Sequence, residues 1–368
     1  MTGRARWWHL LAGVTRVVGV VLAGVLCQPA VASCVDDVPW QAVAPGVWAW
    51  LPPAEAEIAP DNAGHVQPTT VLVHGRQALL IDPGPSHAHG LRVRRSLACR
   101  FGAQVRQIVN THAHAENVLG NSAWADRVAA GQVQILASAA TREGMTRRCP
   151  DCLASLTRKA GPAAMAGTRI VLPTRTLRAG QRLRLGPHRL QVQRIEQGHT
   201  DGDLVLWDAP RRLLWVGGLV YGQRLPELAQ GSLDGWLAAL DRLASLRPAV
   251  VLGNTVSVVE AGALPPALLA TQAYLSDLRQ TVLAAMDAGH QAHESGGLLL
   301  PTYQGWAGYA ERQGFNAQRA WRELEPVWMG ANDPPAPPAA SPPRGGASGP
   351  AKPVPPHPGA SQSAPETR

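Results

Sequence analysis

The chain has 368 residues, is 45% hydrophobic, and carries a formal charge of +8 from 34 Lys and Arg against 26 Asp and Glu. Nearly all the positive charge is arginine, since Lys159 and Lys352 are the only lysines. Groups such as Arg92, Arg94 and Arg95 are scattered over predicted helices instead of forming one stripe with interleaved aromatics. That pattern is a solvated basic surface and argues against a nucleic-acid partner.

At the N-terminus, Met1 to Ala32 has basic residues (Arg4, Arg6), an apolar core from Val17 to Leu26 and the small-residue run Ala30-Val31-Ala32. This reads as a signal peptide (1–32), which places the mature chain in the periplasm or outside the cell. Arg16 leaves the apolar stretch short of the roughly 20 residues that a membrane span needs. Val31-Ala32-Ser33-Cys34 also matches a lipobox, so lipid anchoring at Cys34 is the alternative.

Gly46 to Leu51, Thr69 to His74 and Ala78 to Ile81 are predicted strands, followed by a helix over Leu91 to Phe101 and a strand over Val105 to Asn110. A helix over Glu116 to Ala129, a strand over Val133 to Ala137 and a helix over Thr141 to Lys159 come next. The second half starts with strands at Arg175 to Arg178, Arg182 to Leu185, His188 to Ile195, Asp203 to Asp208 and Leu213 to Val216. It ends with a helix over Leu233 to Ser245 and a strand over Val250 to Leu252. Two sheet-rich halves flanked by helices give an α/β (α+β) chain with a sheet-on-sheet core. Helical periodicity over Ala267 to Ala288 and Asn316 to Leu324 adds a C-terminal helical extension (263–331). Pro, Ser, Ala and Gly dominate 332–368, a composition expected to stay disordered. The main α/β domain is therefore expected over 33–262.

Four cysteines remain after signal removal: Cys34, Cys99, Cys149 and Cys152. An even count in an exported chain suggests two disulfides. A structural Cys149–Cys152 bond is the preferred pairing, with Cys34 and Cys99 left to pair. A redox pair at Cys149-Pro150-Asp151-Cys152 lacks the strand-to-helix context it needs, and a metal knuckle lacks a partner Cys-x-x-Cys.

The densest chemical signal is Thr111-His112-Ala113-His114-Ala115-Glu116-Asn117, placed directly after a strand. A further histidine stands in Gly198-His199-Thr200-Asp201-Gly202-Asp203, also after a strand. Histidines spaced by one residue at a strand end can aim both imidazoles at one metal, and three neutral imidazoles make a zinc site with an open position. His65, His87, His89, His188, His290 and His293 lack such company and read as ordinary core or surface residues.

Together with Asp82-Pro83-Gly84, these motifs resemble the metallo-β-lactamase superfamily over roughly Val47 to Val258. Asn117 to Asn121 and Gly217 to Pro226 resemble the exported quinoprotein relay system zinc metallohydrolases. The resemblance implies a four-layer αββα sandwich and a hydrolase of esters, thioesters or amides, with an exported quinoprotein dehydrogenase as partner. It also implies a departure, because the family signature His-x-His-x-Asp-His continues here as Glu116 and Asn117. The bridging aspartate corresponds to Gly218, and the last metal histidine to Asn254. One zinc on His112, His114 and His199 is therefore expected, with the second site lost at Asn117, Gly218 and Asn254.

Glu116 carries two readings, a general base toward water or an acidic residue favoured at a helix N-terminus. Asp82 and Asp203 are implied to stand behind the zinc histidines and orient their rings. Asn117, Asn254 or Arg224 could supply hydrogen bonds in place of the second ion. The competing class is a non-catalytic binding protein serving an exported redox enzyme, and a thiol-disulfide function at Cys149 and Cys152 is a third.

Overall fold

The computed structural model describes residues 34, 37–53, 56–259 and 262–332. The expected signal peptide and nearly all of the proline-rich tail lie outside the described residues. None of the described helices is long and apolar enough to cross a membrane.

The first half builds one sheet from β1 (Gln41–Ala44), β2 (Val47–Trp50), β3 (Thr69–His74), β4 (Gln77–Ile81), β5 (Gln104–Val109), β6 (Gln134–Ala137) and β7 (Arg175–Thr176), in that spatial order. Strands β1 to β4 are antiparallel, and β4 to β7 run parallel. Each parallel step needs a crossover. Helix α1 (His87–Phe101) links β4 to β5, and a helical segment links β5 to β6. Helix α4 (Ala139–Ala160) lies between β6 and β7. The second half builds a sheet in the order β13 (Val256–Val258), β12 (Val250–Gly253), β11 (Leu213–Gly217), β10 (Asp203–Asp208), β9 (His188–Ile195) and β8 (Arg182–Leu185). Here only β11 and β12 pair in parallel.

Alternation along the strands fixes the layers, because successive residues face opposite sides of a sheet. Leu72, Leu79, Leu204, Leu206, Trp215 and Leu252 share one core between the two sheets. Their neighbours Val71 and Leu80 pack outward with Val93 and Leu97 of α1. On the other flank Val205, Leu214 and Val251 pack with α5 (Leu233–Ser245), α6 (Pro266–Asp287) and α7 (Tyr309–Asn332). The result is an αββα sandwich whose C-terminal helices share the outer core of the second sheet.

The expected helix over Glu116 to Ala129 is instead α2 (Ala115–Val118), a 3₁₀ turn (Leu119–Trp124) and α3 (Ala125–Ala129). Close packing explains the break. A Cβ on Gly120 would overlap the carbonyl of Pro83, and Gly90 of α1 lies against the Gly120 carbonyl.

Of the two expected disulfides, Cys34–Cys99 is present, with a sequence separation of 65. Closing a loop of that length stabilises the fold by about 4 kcal/mol in the chain-entropy account. The Cys149–Cys152 bond is not formed, and both thiols are free. The two cysteines ride one turn apart on α4, within hydrogen-bonding reach of each other, and each also packs against its own apolar neighbours. Cys149 packs with Ala113, Val118 and Met145, and Cys152 with Ala115, Leu119 and Leu156.

Candidate metal centre

Parallel strands deliver their C-terminal ends to one edge, and the loops there hold the histidines. His112 and His114 follow β5, His199 sits between β9 and β10, and a hydrogen bond from Leu204 N to Thr111 O (2.8 Å) ties the two sheets together. The rings meet edge to face, with centroids 4.5 to 5.0 Å apart. One nitrogen from each of the three lies within 4.8 Å of the others, and all three residues are buried.

Two of the three far ring nitrogens are fixed, each by a different device. The Thr111 hydroxyl donates to Asp82 Oδ2 at 2.6 Å, so at 2.8 Å from His112 Nδ1 it can only accept. That places the proton on His112 Nδ1 and leaves Nε2 as a lone pair. Nε2 is buried without a partner among the described residues. His199 Nδ1 donates to the Glu227 carbonyl at 3.2 Å, which frees its Nε2, 3.0 Å from His114 Nδ1. Burial first, and then the neighbouring imidazoles, hold His112 and His199 well below the usual histidine range. Neutral imidazoles with converging lone pairs are the form a divalent metal ion binds. The orphaned His112 Nε2 shows that the residues fit such an ion.

Asp82 touches none of the imidazoles. It accepts from Thr111 N at 2.8 Å and from the Thr111 hydroxyl, and reaches His112 through that hydroxyl. Its backbone sits at φ 50°, a left-handed conformation that aspartate tolerates better than most residues. Asp203 accepts from Thr200 N at 3.0 Å and from the Thr200 hydroxyl, bracing the His199 loop and not the His199 ring. Burial raises both carboxyls to about 7, against hydrogen bonds from the threonines.

Glu116 lies at 4.0 Å from His114 Nδ1 and accepts from Gln67 Nε2 at 3.3 Å. Gln67 also accepts from Asn117 Nδ2 at 2.8 Å. Asn254 is buried one residue past β12 with neither amide atom partnered among the described residues. Gly218 offers no ligand, and a Cβ there would overlap the His199 ring.

A cavity of about 300 Å³ opens beside His114 and Glu116, walled by Cys152, Arg224, Glu227 and Arg312 among others. It draws on the stretches around residues 58, 151 to 159 and 224 to 230, and on α7. Cys152 receives a hydrogen bond from the Cys149 thiol, which brings it down to about 7 despite burial, while Cys149 itself is pushed up.

The profile of the Metallo-beta-lactamase superfamily matches residues 63 to 254, more than half of the chain. The chain belongs to that superfamily. Among solved structures it is similar to a metallo-beta-lactamase from Pontibacter korlensis (18% identity, TM-score 0.48). That match covers 66% of this chain and 100% of that one. It is also similar to a metallo-beta-lactamase from Hirschia baltica (16% identity, TM-score 0.46), covering 65% of this chain and 98% of that one. Among curated proteins, none matches the chain.

Sequence reasoning missed several supports of this metallo-beta-lactamase-fold site. Thr111, Gln67 and Trp236 carry side-chain roles that tertiary contact alone reveals. The Glu227 carbonyl, being backbone, leaves no residue-type signal.

The buried groups set an expected pH dependence for the metal-free chain. Burial is the leading cause that holds His65 (at about 4), His89, His112 and His199 below 6.5. Below pH 6.5 the unfolded chain takes up protons that these four cannot, so stability falls as pH drops through that value. Asp82 and Asp203, raised from 3.8 to about 7, act oppositely and lose stability as pH rises between those values. Four groups against two give a net rise in stability from pH 4.5 to 6.5. Urea midpoints that fall over this interval would contradict the assignment.

Proposed function

We propose that the chain is a metal-dependent hydrolase that holds one zinc ion on His112, His114 and His199 and cleaves an ester, thioester or amide-type bond. The observation that carries this reading is the convergence of three buried imidazole nitrogens, one of them unpartnered among the described residues, in a chain of this superfamily. When bound, the ion supplies Lewis-acid polarisation and brings the pKa of a water molecule to near ~7.

The protein's own residues do the rest. Thr111 and the Glu227 carbonyl hold the tautomers that present His112 Nε2 and His199 Nε2. Glu116, oriented by Gln67 beside His114, is placed to accept a proton inside the cavity. Asn117, Gly218 and Asn254 stand where a second ion would seek ligands, and none of them is a strong zinc donor. A mononuclear centre follows from that donor set.

Export to the periplasm or beyond is part of the proposal. The Cys34–Cys99 bond supports it, because disulfides persist in oxidising compartments. The same bond occupies the sulfur that a lipid anchor at Cys34 would require. A quinoprotein dehydrogenase as partner rests on the motif resemblance alone.

The test is zinc-loaded protein against a panel of esters, thioesters and lactams, with His114→Ala as control and metal content read in parallel. Turnover that disappears in His114→Ala is expected. Glu116→Gln should keep its zinc and lose about 10²-fold or more in turnover. Unchanged turnover in Glu116→Gln removes the base role. Absent turnover with zinc fully bound favours an accessory binding protein.

A further inference from the structure

The cavity beside His114 and Glu116 is also walled by a thiol that the hydrolase reading leaves unused. Cys152 is half-buried and lines the cavity, whereas Cys149, one turn back on α4, is fully buried behind it. The Cys149 thiol donates a hydrogen bond to Cys152, so the two sulfurs already face each other. A molecule in the cavity can meet Cys152 directly, and Cys149 only through it.

The backbone permits a bond between the two sulfurs. Residues three apart on a helix have Cα atoms about 5 Å apart, inside the range of roughly 4.4–6.8 Å that a disulfide spans. Pro150 lies between them and has no N–H for the Thr146 carbonyl, so α4 lacks a rung at this turn and can adjust there. Placement in mid-helix withholds the N-terminal dipole that activates many reactive thiols. The hydrogen bond from Cys149 takes that part, holding Cys152 below the ordinary thiol range, while the same contact and burial push Cys149 up.

The surroundings suit a small guest without a strong charge. Glu116, Asp151 and Glu227 are balanced around the cavity by Lys159, Arg224 and Arg312, so its field selects neither sign. A volume of about 300 Å³ stands at the low end for small-molecule sites.

We propose that Cys152 and Cys149 form a thiol–disulfide exchange site for low-molecular-weight disulfides, with Cys152 attacking and Cys149 resolving. In the first step the Cys152 thiolate bonds to one sulfur of the guest, the guest's own S–S bond breaks, and one thiolate leaves and takes up a proton. In the second, Cys149 attacks the Cys152 sulfur, the mixed disulfide breaks, and the Cys149 proton leaves with the second thiol. The two cysteines are oxidised by two electrons, and the guest is reduced to two thiols. Neither step draws on the three histidines.

The experiment mixes the folded chain, its Cys34–Cys99 bond intact, with bis(hydroxyethyl) disulfide and quenches it in acid over a time course. Intact mass, peptide maps and released mercaptoethanol are read at each point. Each chain is expected to consume one probe molecule, release two of mercaptoethanol and end with Cys149 linked to Cys152. Early points should carry the adduct on Cys152 alone. Cys149→Ala should stop at a stable Cys152 adduct after one release. Cys152→Ala should react at least about tenfold more slowly, since the remaining thiol is buried and held protonated. An adduct that forms first on Cys149, or one that persists on Cys152 in the wild type, overturns the proposal. So does a wild-type rate no faster than that of Cys152→Ala. Should either variant fail to fold, the wild-type time course by itself still decides the order of attack.

Discussion

His112→Ala is expected to lose zinc affinity by far more than the ~10–100-fold that removing an outer partner costs, while Asp82→Asn should fall inside that range. The grading follows from the geometry. His112 gives the ion its only otherwise unpartnered nitrogen among the three imidazoles, so its loss leaves His114 and His199 as a two-nitrogen remnant. Asp82 acts one step back: it holds the Thr111 hydroxyl at 2.6 Å, and that hydroxyl holds His112 Nδ1 at 2.8 Å. An amide at position 82 can present its NH₂ to Thr111 and reverse the hydroxyl, which sets the wrong tautomer on His112 without removing a ligand. Competition with a chelator of known affinity measures both variants. Equal losses would mean that Asp82 does not act through Thr111, and wild-type affinity in His112→Ala would remove it from the centre.

The second large effect is on stability, at Trp236. This indole is fully buried in α5, its centroid lies 5.0 Å from that of His199, and its Nε1 donates to the Leu219 carbonyl at 2.9 Å. Truncating a core aromatic to alanine costs about 3–5 kcal/mol, and the carbonyl left unpaired adds about 1–3 kcal/mol. Against a total stability of roughly 5–15 kcal/mol this leaves Trp236→Ala close to unfolding at ambient temperature. Trp236→Phe keeps most of the ring and loses only the hydrogen bond, so it should cost about 1–3 kcal/mol. Guanidinium midpoints separate the two. A loss below about 2 kcal/mol in Trp236→Ala would show that the site behind His199 collapses to fill the space. Zinc affinity should weaken in the same variant, since His199 loses one wall.

Much of the fold was legible because strands buried on both faces are long apolar runs and those with one wet face alternate. Thr69–His74 and His188–Ile195 have the bounds their patterns announce. Edge strands gave less signal: β1 is four residues with exposed or half-buried side chains, and it carries no apolar period to detect. The break at Leu119 was hidden for a different reason, since it depends on how closely Gly120 must approach Pro83, a tertiary contact. At the site the three histidines were visible in strand-end motifs. Asp82 and Asp203 were visible too, but not that Thr111 stands between Asp82 and the His112 ring, nor that Asp203 braces the His199 loop through Thr200. The Cys149–Cys152 bond is not formed although the two thiols are close enough to hydrogen-bond, and spacing along a helix does not tell a thiol pair from a disulfide.

Gly218 has a consequence for any attempt to rebuild a second ion site. The simplest route, placing an acidic side chain at that position, would first drive a Cβ into the imidazole of His199. The gain of one ligand would then come at the expense of another, and the backbone after β11 would have to withdraw before the exchange became favourable. A single substitution at Gly218 is therefore expected to disturb the three-histidine centre before it can add a ligand.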